Sequence, residues 1–218
     1  MTDRRQPRRR FAMDRAGDRA SAAAWHAWVA DALLRHEHRV AEALAAVREG
    51  AVNGRVMMPA QFTLDGEEEP PGEEEWPNFQ LDCYGLWLWA LADHVRRGAE
   101  LQPSAEAAAR LVVRYLVAAA EVPCYGCWEE HPGNRHTSTL ASVVAGLRDA
   151  GALLGDERAY AERRRQQLLG REHIVAGSLV RHPGDTRVDG SLLWVFVPYG
   201  LAPVGVRRCR RDDRPDSR

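Results

Sequence analysis

Residues 124–131 read Cys-Tyr-Gly-Cys-Trp-Glu-Glu-His and hold the densest chemistry in the 218-residue sequence. Two adjacent carboxylates, Glu129 and Glu130, follow Trp128 in a loop that begins after Pro123. A carboxyl held against an indole loses hydration, which disfavours its charged form and keeps it protonated near neutral pH. That is what a general acid for glycosidic bond cleavage needs. A Glu-Glu pair also describes a solvated turn, and the pair by itself leaves both readings open. The Cys124-x-x-Cys127 spacing serves zinc or redox chemistry in other settings. Zinc needs two further ligands at metal spacing, and Cys83, Cys209, His131 and His136 complete no such pattern. A redox pair would open a helix after a strand, whereas this pair lies between two helical patterns. Cys124 and Cys127 therefore read as small apolar packing residues.

A second segment, Trp76-Pro-Asn-Phe-Gln-Leu-Asp82-Cys-Tyr-Gly85, places one carboxylate among aromatic residues. A buried carboxylate needs a partner. Asp82 can cap backbone amides near a helix start, or it can accept hydrogen bonds from sugar hydroxyls while Trp76 stacks on a sugar face. Aromatic rings with short carboxylates and amides suit carbohydrate, because a sugar offers apolar C–H faces and polar edges. The acidic run from Asp65 to Glu75 reads as a solvated loop, and His36 and His38 read as residues at the edge of a core.

These segments hang on helices. Apolar residues from Trp25 to Val47 recur at helical spacing, and Gly50 supplies a stop. A polar connection follows, in which MMPAQFTLDG could form a short hairpin. A second helix is expected over residues 78–97, apolar almost all round and so an inner, buried one. A third is expected over 104–120, a fourth over 137–150 with Gly151 as its end, and a fifth from Asp156, as N-cap, to Leu169. Beyond it, HIVAGSLVRH reads as extended and VDGSLLWVFVPYG as the start of another buried segment. No fixed-period repeat marks a regular solenoid. An array of hairpins that is not a solenoid often closes into a ring, with its functional loops at one end.

Composition excludes several classes. Apolar residues make up 45% and charged residues 28%, an ordinary globular balance. No apolar run approaches the roughly 20 residues that span a bilayer, and the basic start MTDRRQPRRRF has no apolar stretch behind it to act as a secretory signal. Four cysteines are too few for a disulfide scaffold. A net charge of -1 gives no basic field for nucleic acid. Arginine nevertheless clusters at residues 4–19 and 207–218. These ends are expected to be disordered, or to mark a lost reading frame, in preference to binding phosphate. The protein is expected to be cytoplasmic, with neither membrane nor nucleic acid as a partner.

In order, WPNFQLDCYGLWLWAL, CWEEHPGNRHTSTLA and VDGSLLWVFVPYGL resemble glycoside hydrolase family 15, the glucoamylase-type enzymes, which include bacterial isomaltose-releasing and trehalose-cleaving members. QFTLDG also looks like the bacterial branch. The resemblance implies an all-α fold, a partial (α/α)6 toroid of the six-hairpin glycosidase type. It implies inverting hydrolysis of an α-glucosidic bond at the non-reducing end of an oligosaccharide or disaccharide, with no metal or other cofactor. By that resemblance Glu129 is the general acid, Trp76 packs over it, and Gln80, Asp82, Trp128 and Glu130 contact or brace the substrate.

The implied domains are a disordered basic arm at 1–24, a partial catalytic domain at 25–205 and a disordered Arg-rich tail at 206–218. Two family elements lack a counterpart. An inverting enzyme needs a base carboxylate about 6.5–9.5 Å from the acid, and the sequence after Glu129 offers no candidate. The upstream Arg-Asp element that grips the terminal glucose is not matched by Arg15–Asp18. A twelve-helix ring needs on the order of 350 residues. The chain is accordingly expected to hold about half a ring and to be inactive or very weak by itself. The alternatives are a non-catalytic sugar-binding remnant and a helical interaction scaffold.

Overall fold

The computed structural model describes residues 14–69, 78–155, 158–168, 170 and 172–202. Trp76, the tail at 206–218 and most of the N-terminal arm lie outside these residues.

Helix α1 spans Arg19–Arg35 and begins six residues before the expected Trp25. The run Arg-Ala-Ser-Ala-Ala-Ala has high helix propensity, and the Asp18 carboxylate caps it by accepting from the Ser21 N–H at 3.1 Å. Residues 19–24, expected in a disordered arm, are thus helical. The single long first helix is in fact two. The chain breaks at His36 (φ -100°, ψ 21°), and α2 runs Glu37–Glu49 to Gly50 in the left-handed region (φ 69°). His36 leaves the helical ladder for the following loop: its Nε2 hydrogen-bonds the Gly66 carbonyl at 3.1 Å and its ring packs on Phe62. In that loop an antiparallel bridge, Phe62 to Glu68, with the Thr63 N–H donating to the Glu67 carbonyl at 2.8 Å, closes a tight reversal at the end of the stretch where a short hairpin is expected.

Helix α3 (Asp82–Arg96) starts four residues later than expected, because Asn78 sits at φ 56° and cannot belong to a right-handed helix. The Asn78 side chain uses that geometry. Its Oδ1 accepts from the Gln61 N–H at 2.7 Å and its Nδ2 donates to the Gln61 and Glu69 carbonyls. Every residue from Tyr84 to His94 is buried, as an inner helix requires. Helix α4 (Pro103–Ala119) opens with proline at its first position, where no amide is needed, and buries one face through Ala105, Ala108, Leu111, Val112, Tyr115 and Leu116. Helix α5 (Thr137–Leu154) passes through Gly151 and ends at Gly155 (φ 86°), a residue outside the expected boundary. Gly151 is buried within the helix, so packing overrides its weak propensity. Helix α6 (Arg158–Leu168) follows; the expected cap Asp156 lies outside the described residues.

The stretch expected to be extended forms a two-strand hairpin, β1 (Ile174–Val175) and β2 (Ser178–Leu179), with Ile174 opposite Leu179. Ala176 and Gly177 both take positive φ in its turn. A 3-10 turn, Gly190–Leu192, leads into the short α7, Leu193–Phe196. Leu192, Val195, Tyr199 and Leu201 are buried there, while Leu193 and Val197 face solvent at 67% and 71% exposure.

The helices form an arc of hairpins in two layers. The inner pair, α3 and α5, lies side by side, with α1, α2, α4 and α6 behind. The closest approach of the inner pair falls at two glycines. A Cβ on Gly146 would lie 2.4 Å from the Gly85 carbonyl oxygen, and one on Gly85 would lie 2.4 Å from that of Ser142. Only residues without side chains allow two backbones so close. At the same level Ser142 Oγ donates to the Asp82 carbonyl at 2.7 Å, and the Tyr199 hydroxyl meets Ser142 Oγ at 3.1 Å. Tyr199 also packs edge-on against Trp89, which ties α7 to both inner helices. No helix among the described residues is long and apolar enough to cross a membrane.

Candidate active site

The inner helices bring three loops to one end of the arc: residues 120–136 between α4 and α5, the stretch before α3, and residues 180–192 before α7. The first is a compact double turn. The Glu129 N–H donates to the Gly126 carbonyl at 2.8 Å, and the Gly126 N–H donates to the Glu130 carbonyl at 3.2 Å. A second turn closes from Asn134 to His131, and the Cys124 N–H donates to the Asn134 carbonyl across the base. Glu129 itself takes φ 60°, a conformation a glutamate rarely adopts, held by the surrounding bonds.

The loop is pinned from two neighbours. Gln80 Nε2 donates to the Gly126 carbonyl at 2.8 Å, from the segment that leads into α3. His136, immediately before α5, lies beneath Gly126, where a Cβ would sit 3.0 Å from the imidazole ring. The Nε2 of His136 bonds the His131 carbonyl at 3.0 Å, which requires the proton on that nitrogen. Burial is the main cause of its lowered pKa, so the ring is held neutral. One residue further, Thr137 donates its N–H to the Arg181 carbonyl at 2.8 Å and its hydroxyl to that of Val180. The fully buried His173 meets the same hydroxyl at 2.9 Å, and burial lowers its pKa to about 4.

Of the residues singled out from sequence, Gln80, Trp128, Glu129 and Glu130 meet in this loop. Trp128 is 54% exposed, so its indole offers an open face and not the dry wall expected around the acid. Asp82 is the first residue of α3, half-buried beneath the loop. Burial pushes the Cys124 thiol up to about 12, with the Asp82 charge adding to the shift. Such a thiol stays protonated at neutral pH and packs as an apolar group. Among the described residues, no group of three His, Cys, Asp or Glu side chains is arranged to hold a metal ion.

A narrow cleft of about 10 Å³, room for about one water molecule, opens beside the loop, lined by Trp128, Glu130, Ser138, Arg181, Asp189 and Ser191 among others. Complete small-molecule sites occupy roughly 300–1,000 Å³, so this cleft by itself is far too small to be a whole ligand pocket. Its far wall was not read from the sequence. Arg181 reaches Glu130 Oε2 through Nη2 at 3.1 Å and Asp189 Oδ2 through Nε at 2.8 Å. Asp189 caps the 3-10 turn by accepting from the Ser191 N–H at 2.7 Å. The Asp-x-Ser spacing of residues 189–191 was the available signal for that cap. Nothing local marked Arg181 among the chain's many arginines.

The profile of Glycosyl hydrolases family 15 matches residues 16–169. Isomaltose glucohydrolase from Kribbella flavida is 38% identical over 200 residues, covering 88% of this chain and 51% of that protein. A solved wild-type glycosidase superposes with a TM-score of 0.77 at 38% identity, over 89% of this chain and 54% of the other. A glutamate-to-alanine variant of a glycosidase in complex with glucose gives the same values. The chain thus spans about half the length of the relatives it matches, and its arc of hairpins is part of a six-hairpin toroid.

Proposed function

Because the chain belongs to Glycosyl hydrolases family 15, we propose that its cleft is the acid side of an inverting α-glucosidase site, with Glu129 as proton donor. The observation that carries this reading is the Trp128–Glu130 turn, held at positive φ and pinned by Gln80 and His136 at the mouth of the inner helices. In the reaction Glu129 gives its proton to the glycosidic oxygen as the C1–O bond breaks. Water, stripped of a proton by a second carboxylate, attacks C1 from the opposite face. That base is assigned to no residue of this chain.

Trp128 offers its open indole to an apolar sugar face. Glu130 and Asp82 accept from hydroxyls. Gln80 acts mainly through the loop it braces, and Trp76 is proposed to pack over the acid. The substrate is an α-linked glucose oligosaccharide or disaccharide bound by its non-reducing end, in carbohydrate breakdown. Among the described residues the cysteines, Cys83 and the buried Cys124 included, form no disulfide, which suits a reducing compartment and supports a cytoplasmic location.

The test is glucose release from isomaltose, maltose and trehalose by the purified chain and by Glu129→Gln. The expected result is turnover at or near background. Turnover abolished by Glu129→Gln would establish the acid and locate the base within these residues. Equal turnover above background in both proteins would overturn the assignment of Glu129.

A further inference from the structure

We propose that Arg181 is a positioning residue of the sugar site, holding Glu130, and through it the Glu129 turn, against the cap of α7. The proposal rests on the reading of the Trp128–Glu130 loop as a sugar site. Arg181 belongs to neither segment that carries the candidate acid and its contacts, yet it joins three parts of the cleft. Its main chain is fixed at the start of inner helix α5, where its carbonyl accepts from the Thr137 N–H at 2.8 Å. Its guanidinium bridges two carboxylates from different loops, Glu130 at 3.1 Å and Asp189 at 2.8 Å. The Arg181 side chain is only 14% exposed, while Glu130 is 56% exposed. The cation therefore lies on the floor of the cleft, with the carboxylate above it reaching toward solvent.

This arrangement does two things. Two carboxylates that share a cleft repel, and a planar fork between them turns repulsion into two charge-assisted bonds. It also fixes one oxygen of Glu130 and leaves Oε1 to accept from a sugar hydroxyl in a set direction. A lysine carries the charge but not the fork, so it cannot bridge both carboxylates in one geometry. Because Glu130 is bonded through its own carbonyl to the Gly126 N–H, displacement of Glu130 pulls on the turn that presents Glu129.

Isomaltose affinity is measured by calorimetric titration of the 218-residue chain and its Arg181→Met, Arg181→Lys, Glu130→Gln and double variants. Amide hydrogen exchange is followed in parallel at Glu129. Arg181→Met is expected to weaken isomaltose at least tenfold and to speed exchange of the Glu129 amide at least tenfold, with the amides of α3 and α5 unchanged. Arg181→Lys is expected to fall between the two. In the Glu130→Gln background, Arg181→Met is expected to cost less than threefold more, which a general loss of stability would not produce. Wild-type affinity and wild-type exchange in Arg181→Met would overturn the proposal. An additive effect in the double variant would also overturn it. A chain that binds no isomaltose, yet shows the faster Glu129 exchange in Arg181→Met, would refute the sugar reading and uphold the tie. Should Arg181→Met fail to fold, Arg181→Lys carries the same comparison.

Discussion

Replacing Gly146 with alanine puts a methyl group where the backbone of α3 already stands. The new Cβ would lie 2.4 Å from the Gly85 carbonyl oxygen and 2.8 Å from its Cα, about 1 Å inside ordinary contact at 3.4 Å. Neither obstacle is the end of a flexible side chain, so the two inner helices must part. Overpacking of this kind costs about 1–3 kcal/mol, and backbone as the obstacle places it at the upper end. Alanine returns about 1 kcal/mol through its better helix propensity. The net expectation is a loss of about 2 kcal/mol, or roughly 4–8 °C in melting temperature for a chain of this size. Thermal unfolding followed by far-ultraviolet circular dichroism measures it. Gly133→Ala is the control, since nothing lies within 4 Å of its Cβ. A melting temperature for Gly146→Ala equal to or above that of the wild type would refute the close-packed joint. The same parting would stretch the Ser142 bond to the Asp82 carbonyl, and with it the register between the two loops of the cleft.

Acid should weaken the fold through its buried imidazoles. His173 takes a proton at about 4 when folded and His26 at about 3, against 6.5 for an exposed ring, so the unfolded chain binds protons that the native one refuses. Stability is expected to be complete above pH 6.5 and to fall below it; the His173 part levels off below about pH 4. Urea midpoints at pH 7, 5.5 and 4.5 measure this, with a shallower slope expected for His173→Asn; equal midpoints would contradict it. The Cys83 and Cys124 thiols, both pushed up mainly by burial, should resist iodoacetamide at pH 8 in the folded chain and react in urea. Peptide mass spectrometry reads this, and rapid native alkylation of Cys124 would contradict it.

Periodicity revealed the inner and outer helices because burial on one side, or on all sides, leaves a pattern in the residues themselves. It misplaced the boundaries where tertiary contacts decide. His36 breaks the first helix to reach Gly66, a partner 30 residues away. Asn78 delays α3 because its side chain is committed to the loop before it. Gly151 reads as a stop but is carried through by packing. In the candidate site, Trp128, Glu129 and Glu130 stand together in the sequence as a local cluster, and the structure brings Gln80 to the same loop through the Gly126 carbonyl. Arg181 was not legible there, since its meaning comes from Glu130 and Asp189, which the fold brings to it from either side in sequence. The exposure of Trp128 was equally hidden, because the residue type is the same on a dry wall and on an open face.

The glycine joint between α3 and α5 has a geometric consequence for the well it helps enclose. Six inner helices around an axis form a hexagon, and the radius of a hexagon equals its side. Neighbours spaced about 8–10 Å apart, each about 5 Å in radius with its side chains, leave a bore about 6–10 Å across. Helices that touch backbone to backbone keep that bore at its minimum calibre. Gly85 and Gly146 therefore set the spacing of the inner ring at this joint, and any residue with a side chain at either position would widen it.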